Sequence, residues 1–443
     1  MAKHKLDRVH AERPQKLSIR CAVTDVFVRD IPVSAVFFYE HSLDKAALSQ
    51  GLARVLGDFA PFDARLRRRG LERFIDCGET GCRFTMRLDP RTLQDTLAGL
   101  NDQTRIELVD PIDARRAWNR DEPVISFRLT HFAGGGSALG ISWHHAVGDW
   151  HSVMSLLKAW SRTVAGLEYE KPMFVEDRDA YFNSTLPASE LAPPNLRFLA
   201  LRELPRLGLY MLTRARDKRR VTFQFEQVEL ERMRTELERE SGQKLSTNDA
   251  LSAHVATVIA SRDVKISDRR VSIAVNFRKR AGVPAQMLCN AVSTLDVGCE
   301  HGKKPAQIAA DLRGALDAYA EKHLNHHANL RLIERHGGVA NVTRFIPTGV
   351  DPFAGSIVLS NWSRFGIYDV DFGHNAPTHF ITAGGGPLPW LGVVHEGFHQ
   401  RGLIVDLELP TKVAARMLDA DGLREMHRYA DVTAQKQPLQ WLS

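Results

Sequence analysis

Cysteine is scarce: five in 443 residues, an odd number with no framework spacing, so a disulfide scaffold is excluded and a reducing compartment is expected. Cys77 and Cys82, the one close pair, have the wrong gap for a zinc knuckle. No apolar run approaches the roughly 20 residues that a membrane span needs. The opening Met1-Ala2-Lys3-His4-Lys5-Leu6-Asp7-Arg8 is too polar for a secretory signal, so a soluble, cytoplasmic protein is expected. Periodicity reveals no internal repeat. The glycine triplets 134–136 and 384–386 lack the Lys-Ser/Thr of a phosphate loop and read as tight turns. No basic–aromatic platform or known module points to nucleic acid.

What is present is globular. With 44% hydrophobic and 25% charged residues, the chain is long enough for two or three cores, and two domains is the natural division. Strand patterns are read over 17–29, 33–39, 64–69, 73–76, 82–87, 124–130 and 138–143, and in the second half over 221–230, 271–277, 291–297, 356–362, 380–382, 391–395 and 402–409. Helical spacing is read over 45–56, from Asp149 or His151 onward, and over 231–240, 249–261, 305–324 and 411–429. Strands and helices alternate in both halves, so the expected fold is α/β with layers of mixed sheet. The division is drawn at residues 1–175, a crossover at 176–220 rich in Pro, Asp and Asn in its first part, and 221–443.

The net charge of +6 is unevenly spread. From Leu196 to Arg220, eight Arg and Lys are interleaved with leucines and opposed only by Glu203 and Asp217. Three readings fit: a solvated helical linker, a peripheral membrane contact, or a patch that steers an anionic ligand inward.

The most telling tract is Trp143-His144-His145-Ala146-Val147-Gly148-Asp149-Trp150. A strand leads into it, and Val153, Leu156, Leu157 and Trp160 form the apolar stripe of the helix that follows. His145 therefore sits at a rigid strand-to-helix junction, where reactive side chains are often displayed. A histidine there can be a general base with a carboxylate four residues on, or a hydrogen-bonded structural residue. A metal reading of His144, His145, Asp149 and His151 is available, but neighbouring strand residues face opposite ways and no second ligand cluster appears; no metal is expected.

A second tract, Asp369-Val370-Asp371-Phe372-Gly373, follows Ser360-Asn361-Trp362. Together with His145 and Asp149 it resembles the BAHD acyltransferases, whose members carry His-x-x-x-Asp-Gly and Asp-Phe-Gly-Trp-Gly. Asn276-Phe277-Arg278-Lys279-Arg280, Cys289-Asn290-Ala291-Val292 and the helix opening from Ser246 agree in order and spacing, so the resemblance spans nearly the whole chain. Two positions depart from it: Trp150 replaces the glycine, and His374-Asn375 replaces Trp-Gly.

The resemblance implies two chloramphenicol acetyltransferase-like domains with the active site in a channel between them. It implies a secondary-metabolism enzyme, working as a monomer, that moves an acyl group from acyl-CoA to a hydroxyl or amine of a small molecule. His145 would be the base and Asp149 its support, turned away and paired with Arg278, with Arg280 on the same strand face as fallback. Ser360 would serve the oxyanion and Trp362 the channel wall. Asp371 and Gly373 would staple a loop, while Lys244, Ser246, Arg280 and Asn290 would hold the coenzyme, which is a co-substrate; no permanently bound cofactor is expected. The doubled histidine also fits condensation domains, which take acyl groups from an acyl carrier protein. A catalytically inactive binding protein on the same fold is the remaining alternative.

Overall fold

The computed structural model describes residues 7–78, 81–263, 266, 268–374, 376–386 and 388–431. Two six-stranded mixed sheets organise it. The first runs in the order Arg8–Val9, Cys82–Asp89, Ile125–Phe132, Ser137–His144, Pro32–Tyr39, His379–Ala383. Its central strand Ser137–His144 is buried at every position, as an inner strand covered on both faces should be. The second sheet runs Lys218–Phe225, Leu403–Pro410, Leu391–Glu396, Ser356–Asn361, Arg270–Asn276, Val292–Gly298. The expected α/β architecture of mixed sheets is present, and one strand of the second half, His379–Ala383, completes the first sheet by pairing with Pro32–Tyr39.

Helix Trp150–Val164 holds the first sheet from behind. Asp149 caps it, accepting from Ser152 N at 3.0 Å, and its buried stripe packs against helix Lys45–Leu56, where Trp160 Nε1 donates to Leu48 O at 2.8 Å. The helices Gln227–Ser241, Thr247–Arg262 and Pro305–Asp317 cover the second sheet.

Several elements differ from the sequence reading. Residues 17–29 are not one strand: Leu17–Arg20 is followed by the helical turn Val23–Phe27, which the Asp25 carboxylate stabilises by accepting from Ala22 N at 2.9 Å. Short apolar alternation fits either structure, and a side-chain bond decided it. The strand expected over 221–230 stops at Phe225 and the helix starts at Gln227. Asp419 caps a new helix inside 411–429, splitting it into Thr411–Met417 and Ala420–Met426. Arg278 and Arg280 lie on the helical turn Arg278–Ala281, not on a strand face. The basic stretch is not a single helix either; it comprises strand Leu196–Phe198, helix Leu204–Leu212 and the start of strand Lys218–Phe225. That helix exposes Leu204, Leu209 and Leu212, while Arg206 stacks on Phe353 at 4.3 Å. Helix His326–Arg335 lies in a stretch whose pattern suggested nothing. All five cysteines are free and buried.

Candidate active site

A cavity of about 480 Å³ opens between the two sheets. Ile31, Pro32, Val33 and Trp143 line it from the first sheet and its edge, and Val292, Val358, Leu391 and Val393 from the second, so its walls are mostly apolar. His145, Asp149, Ser360 and Trp362 all reach it, together with Trp150, His151, Asn276 and Asn361. Lys244, Ser246, Arg278, Arg280, Asn290, Asp371 and Gly373 stand outside its lining.

His145 begins a short helical turn, His145–Val147, directly after the central strand. Gly148 lets the chain turn tightly into the next helix: a Cβ there would lie 2.7 Å from that of Ser152. His145 is half-buried as a residue, and burial pulls its pKa below the ordinary imidazole value. Its Nδ1 lies 2.9 Å from Asn290 Oδ1, which leaves Nε2 as the ring nitrogen for the cavity. Its neighbour His144 is fully buried, with Nε2 at 3.1 Å from Ala114 O. The two imidazoles thus do different jobs. Among the described residues no cluster of His, Cys, Asp and Glu could hold a metal ion.

Asp149 turns away from His145. Arg278 grips it in a fork, Nη1 to Oδ2 at 2.6 Å and Nη2 to Oδ1 at 3.1 Å, and Ala291 N adds a bond at 3.1 Å. Burial alone would raise the carboxyl pKa, but the guanidinium and its hydrogen bonds outweigh it and hold the group below the usual range. Arg278 also donates to Met287 O and Cys289 O, so this one pair ties helix Trp150–Val164 to the segment around Cys289.

Trp150, the bulky departure, lies flat on Trp362 with ring centroids 4.4 Å apart and on Trp143 at 5.6 Å. The stack forms one wall beside the base. Ser360 Oγ accepts from Trp362 Nε1 at 3.0 Å, which leaves the hydroxyl hydrogen available. The cavity is also lined by Arg220, Thr382, Asp406, Glu408 and glycines 384–386, of which the sequence reading marks only Arg220, as the end of the basic stretch, and the glycines, as a turn. Burial opposes ionisation of Asp406, but Arg105, hydrogen-bonded at 3.3 Å, and its neighbours keep it well below the usual carboxylate range.

The second motif lies away from the cavity. Asp371 Oδ1 accepts from Ser161 Oγ at 3.1 Å and from Gly373 N at 3.0 Å, and Phe372 N donates to Ser161 Oγ at 2.8 Å. Asp371 is thus held by one backbone N–H, that of Gly373, and by a serine on helix Trp150–Val164. Gly373 has φ of 79° and passes close to Ala165. His374 is exposed beside His41, and Asn375 lies outside the described residues.

The coenzyme candidates scatter. Lys244 and Arg280 are exposed, whereas Ser246 caps helix Thr247–Arg262 and also accepts from Arg313 at 3.0 Å. Asn290 is fully buried, with its amide spent on His145 and on Asp25. Sequence reasoning missed Asp25 and Arg178 entirely; no local spacing connects them to the motif.

The chain matches the Transferase family over residues 8–384. It is 24% identical to a hydroxycinnamoyl-CoA:5-hydroxyanthranilate N-hydroxycinnamoyltransferase of Avena sativa, over 85% of this chain and 88% of that one. Vinorine synthase, known from Rauvolfia serpentina, superposes with TM-score 0.69 at 19% identity, covering 94% of this chain and 96% of that one. F. graminearum TRI101 with coenzyme A and deoxynivalenol gives TM-score 0.72 at 16% identity, covering 92% and 98%. A condensation domain of the CDA synthetase shares the fold at TM-score 0.59 and 15% identity, covering 94% and 97%. The chain belongs to the Transferase family, the BAHD acyltransferases, and is an acyl-CoA-dependent acyltransferase with the two-lobed fold of that family.

Proposed function

We propose that His145 is the general base of an acyl transfer in which a small-molecule hydroxyl or amine attacks an acyl-CoA thioester directly, with no acyl-enzyme. The observation that carries this reading is the His145 ring, braced at Nδ1 and lining a cavity to which both sheets contribute. A pKa pulled down by burial keeps the imidazole neutral near pH 7, the form that accepts a proton. Nε2 takes the proton of the nucleophile, the thioester carbonyl carbon gains the new bond, and the sulfur leaves with the coenzyme. Ser360, with its oxygen already occupied by Trp362, donates to the oxyanion.

Asp149, gripped by Arg278, supports the loop under His145. The apolar walls and the tryptophan stack suit a flat or alicyclic group, with the polar groups of Arg220, Thr382 and Asp406 receiving its hydroxyls or amines. Lys244, Ser246 and Arg280 are the residues proposed to meet the coenzyme, Lys244 and Arg280 as exposed cations facing its phosphates.

The experiment is a screen of acetyl-CoA, malonyl-CoA and hydroxycinnamoyl-CoA against pools of alcohols and amines, read by mass spectrometry. The expected result is an acylated acceptor that disappears with His145→Gln. Transfer that persists in the variant would overturn the base. A donor carried on an acyl carrier protein is the alternative, and parallel assays with acyl-CoA and an acylated carrier separate the two.

A further inference from the structure

The geometry points to Asp25, acting through Asn290, as the residue that decides which nitrogen of His145 carries the ring proton. This rests on the reading of His145 as the base. Asn290 joins the two. Its Nδ2 lies 2.7 Å from Asp25 Oδ1 and 2.9 Å from the carbonyl oxygen of His145, and its Oδ1 lies 2.9 Å from His145 Nδ1. A carboxylate and a carbonyl can only accept, so the amide must present its NH2 group to both. Its oxygen is then forced toward the imidazole, Nδ1 must be the protonated nitrogen, and Nε2 is left with the lone pair.

Asp25 is in turn fixed. It is fully buried, its Oδ2 accepts from Ala22 N at 2.9 Å, and Arg178, also fully buried, pairs with it at 3.2 Å. Arg178 reaches further, donating to Val147 O at 3.0 Å and Leu288 O at 2.9 Å, which lie two residues past His145 and two before Asn290. Two buried ion pairs therefore flank the base. Asp149–Arg278 holds its loop in place, and Asp25–Arg178 orients its ring. Asp25 is a positioning residue: it touches Asn290, not the reacting atoms.

Asp25→Asn sharpens this. The two donors at Ala22 and Arg178 claim the oxygen of the new amide, which turns its NH2 toward Asn290. Asn290 must then either rotate, offering NH2 to His145 Nδ1 and driving the ring to the Nε2–H form, or stay with two donors opposed. In Ser-His-Asp triads the same exchange behind the histidine traps the wrong tautomer.

The test is nitrogen-15 NMR of the protein carrying labelled histidine at pH 7.5, with His145 assigned by its loss in His145→Gln. The wild-type ring should be protonated at Nδ1 and free at Nε2, and Asp25→Asn should raise the Nε2–H population at least tenfold. A wild-type ring protonated at Nε2, or a folded Asp25→Asn protein with an unchanged ring, overturns the inference. The wild-type spectrum can overturn the inference even if the variant fails to fold. Turnover that survives in His145→Gln would instead overturn the base itself, so the two failures are distinguishable.

Discussion

The two tracts that mark the sequence as a family member do unlike work in the folded protein. The first, 143–150, ends a fully buried strand and sets His145 at the cavity; the second, 369–373, clasps helix Trp150–Val164 through the buried Ser161. They are linked only mechanically, since both hold the same helix, one at its N-cap and one near its last turn. A recurrent motif thus marks either chemistry or support, and the surroundings of its side chains tell which.

Substitutions at the two tracts should separate these roles. His145→Ala should cost about 10² to 10⁴ in turnover with a nearly unchanged melting curve. A loss under tenfold would place the chemistry elsewhere. Asp149→Ala leaves Arg278 buried without its carboxylate and should lower stability by about 3 to 5 kcal/mol in denaturant titration; turnover would fall with it. Ser360→Ala should raise the barrier by about 3 to 4 kcal/mol, read as kcat with KM little changed. Asp371→Asn, at the second tract, should cost about 1 kcal/mol of stability and leave kcat of the folded protein intact. A large drop in kcat there would erase the contrast between the tracts.

Acid should act on both kinds of site, with a definite sign. The base works neutral, so kcat/KM should be on its plateau at pH 7 and fall only below the ordinary imidazole value of about 6.5, because burial lowers the pKa of His145. Stability follows the same direction for another reason. Burial holds His144, His254, His326 and His379 each down at about 4. Their folded-state pKa lies below the unfolded value, so protons bind the unfolded chain better, and stability present above pH 6.5 is lost progressively as pH falls toward 4. Melting temperatures measured from pH 7.5 to 4.5 should decline steeply over that interval; a flat profile would contradict the burial of these rings.

Much of this was legible in the sequence because the signals were local. The helix Lys45–Leu56, the strand pair around glycines 134–136 and the Asp149 cap follow from periodicity and turn chemistry over a few residues. Arg278 as the partner of Asp149 came from resemblance, and the two side chains meet in a fork at 2.6 and 3.1 Å. Asp25 was hidden for a physical reason. It sits in a stretch whose apolar alternation reads as strand, yet its carboxylate bends the chain into a helical turn and meets Asn290, 265 positions away. The polar lining at Arg220, Asp406 and Glu408 was equally hidden, since those residues alternate with apolar ones along strands Lys218–Phe225 and Leu403–Pro410 and acquire a common purpose only when the strands pair. The fate of Trp150 also depended on distance: nothing near it announces that Trp362 will lie against its face.

The strand His379–Ala383 has a wider mechanical meaning. By lending an edge to the opposite sheet it sews one lobe onto the other, with every residue from His379 to Ala383 in register against Ser34 to Phe38. Protease nicking near prolines 193 and 194 should therefore yield two pieces that still travel together through gel filtration.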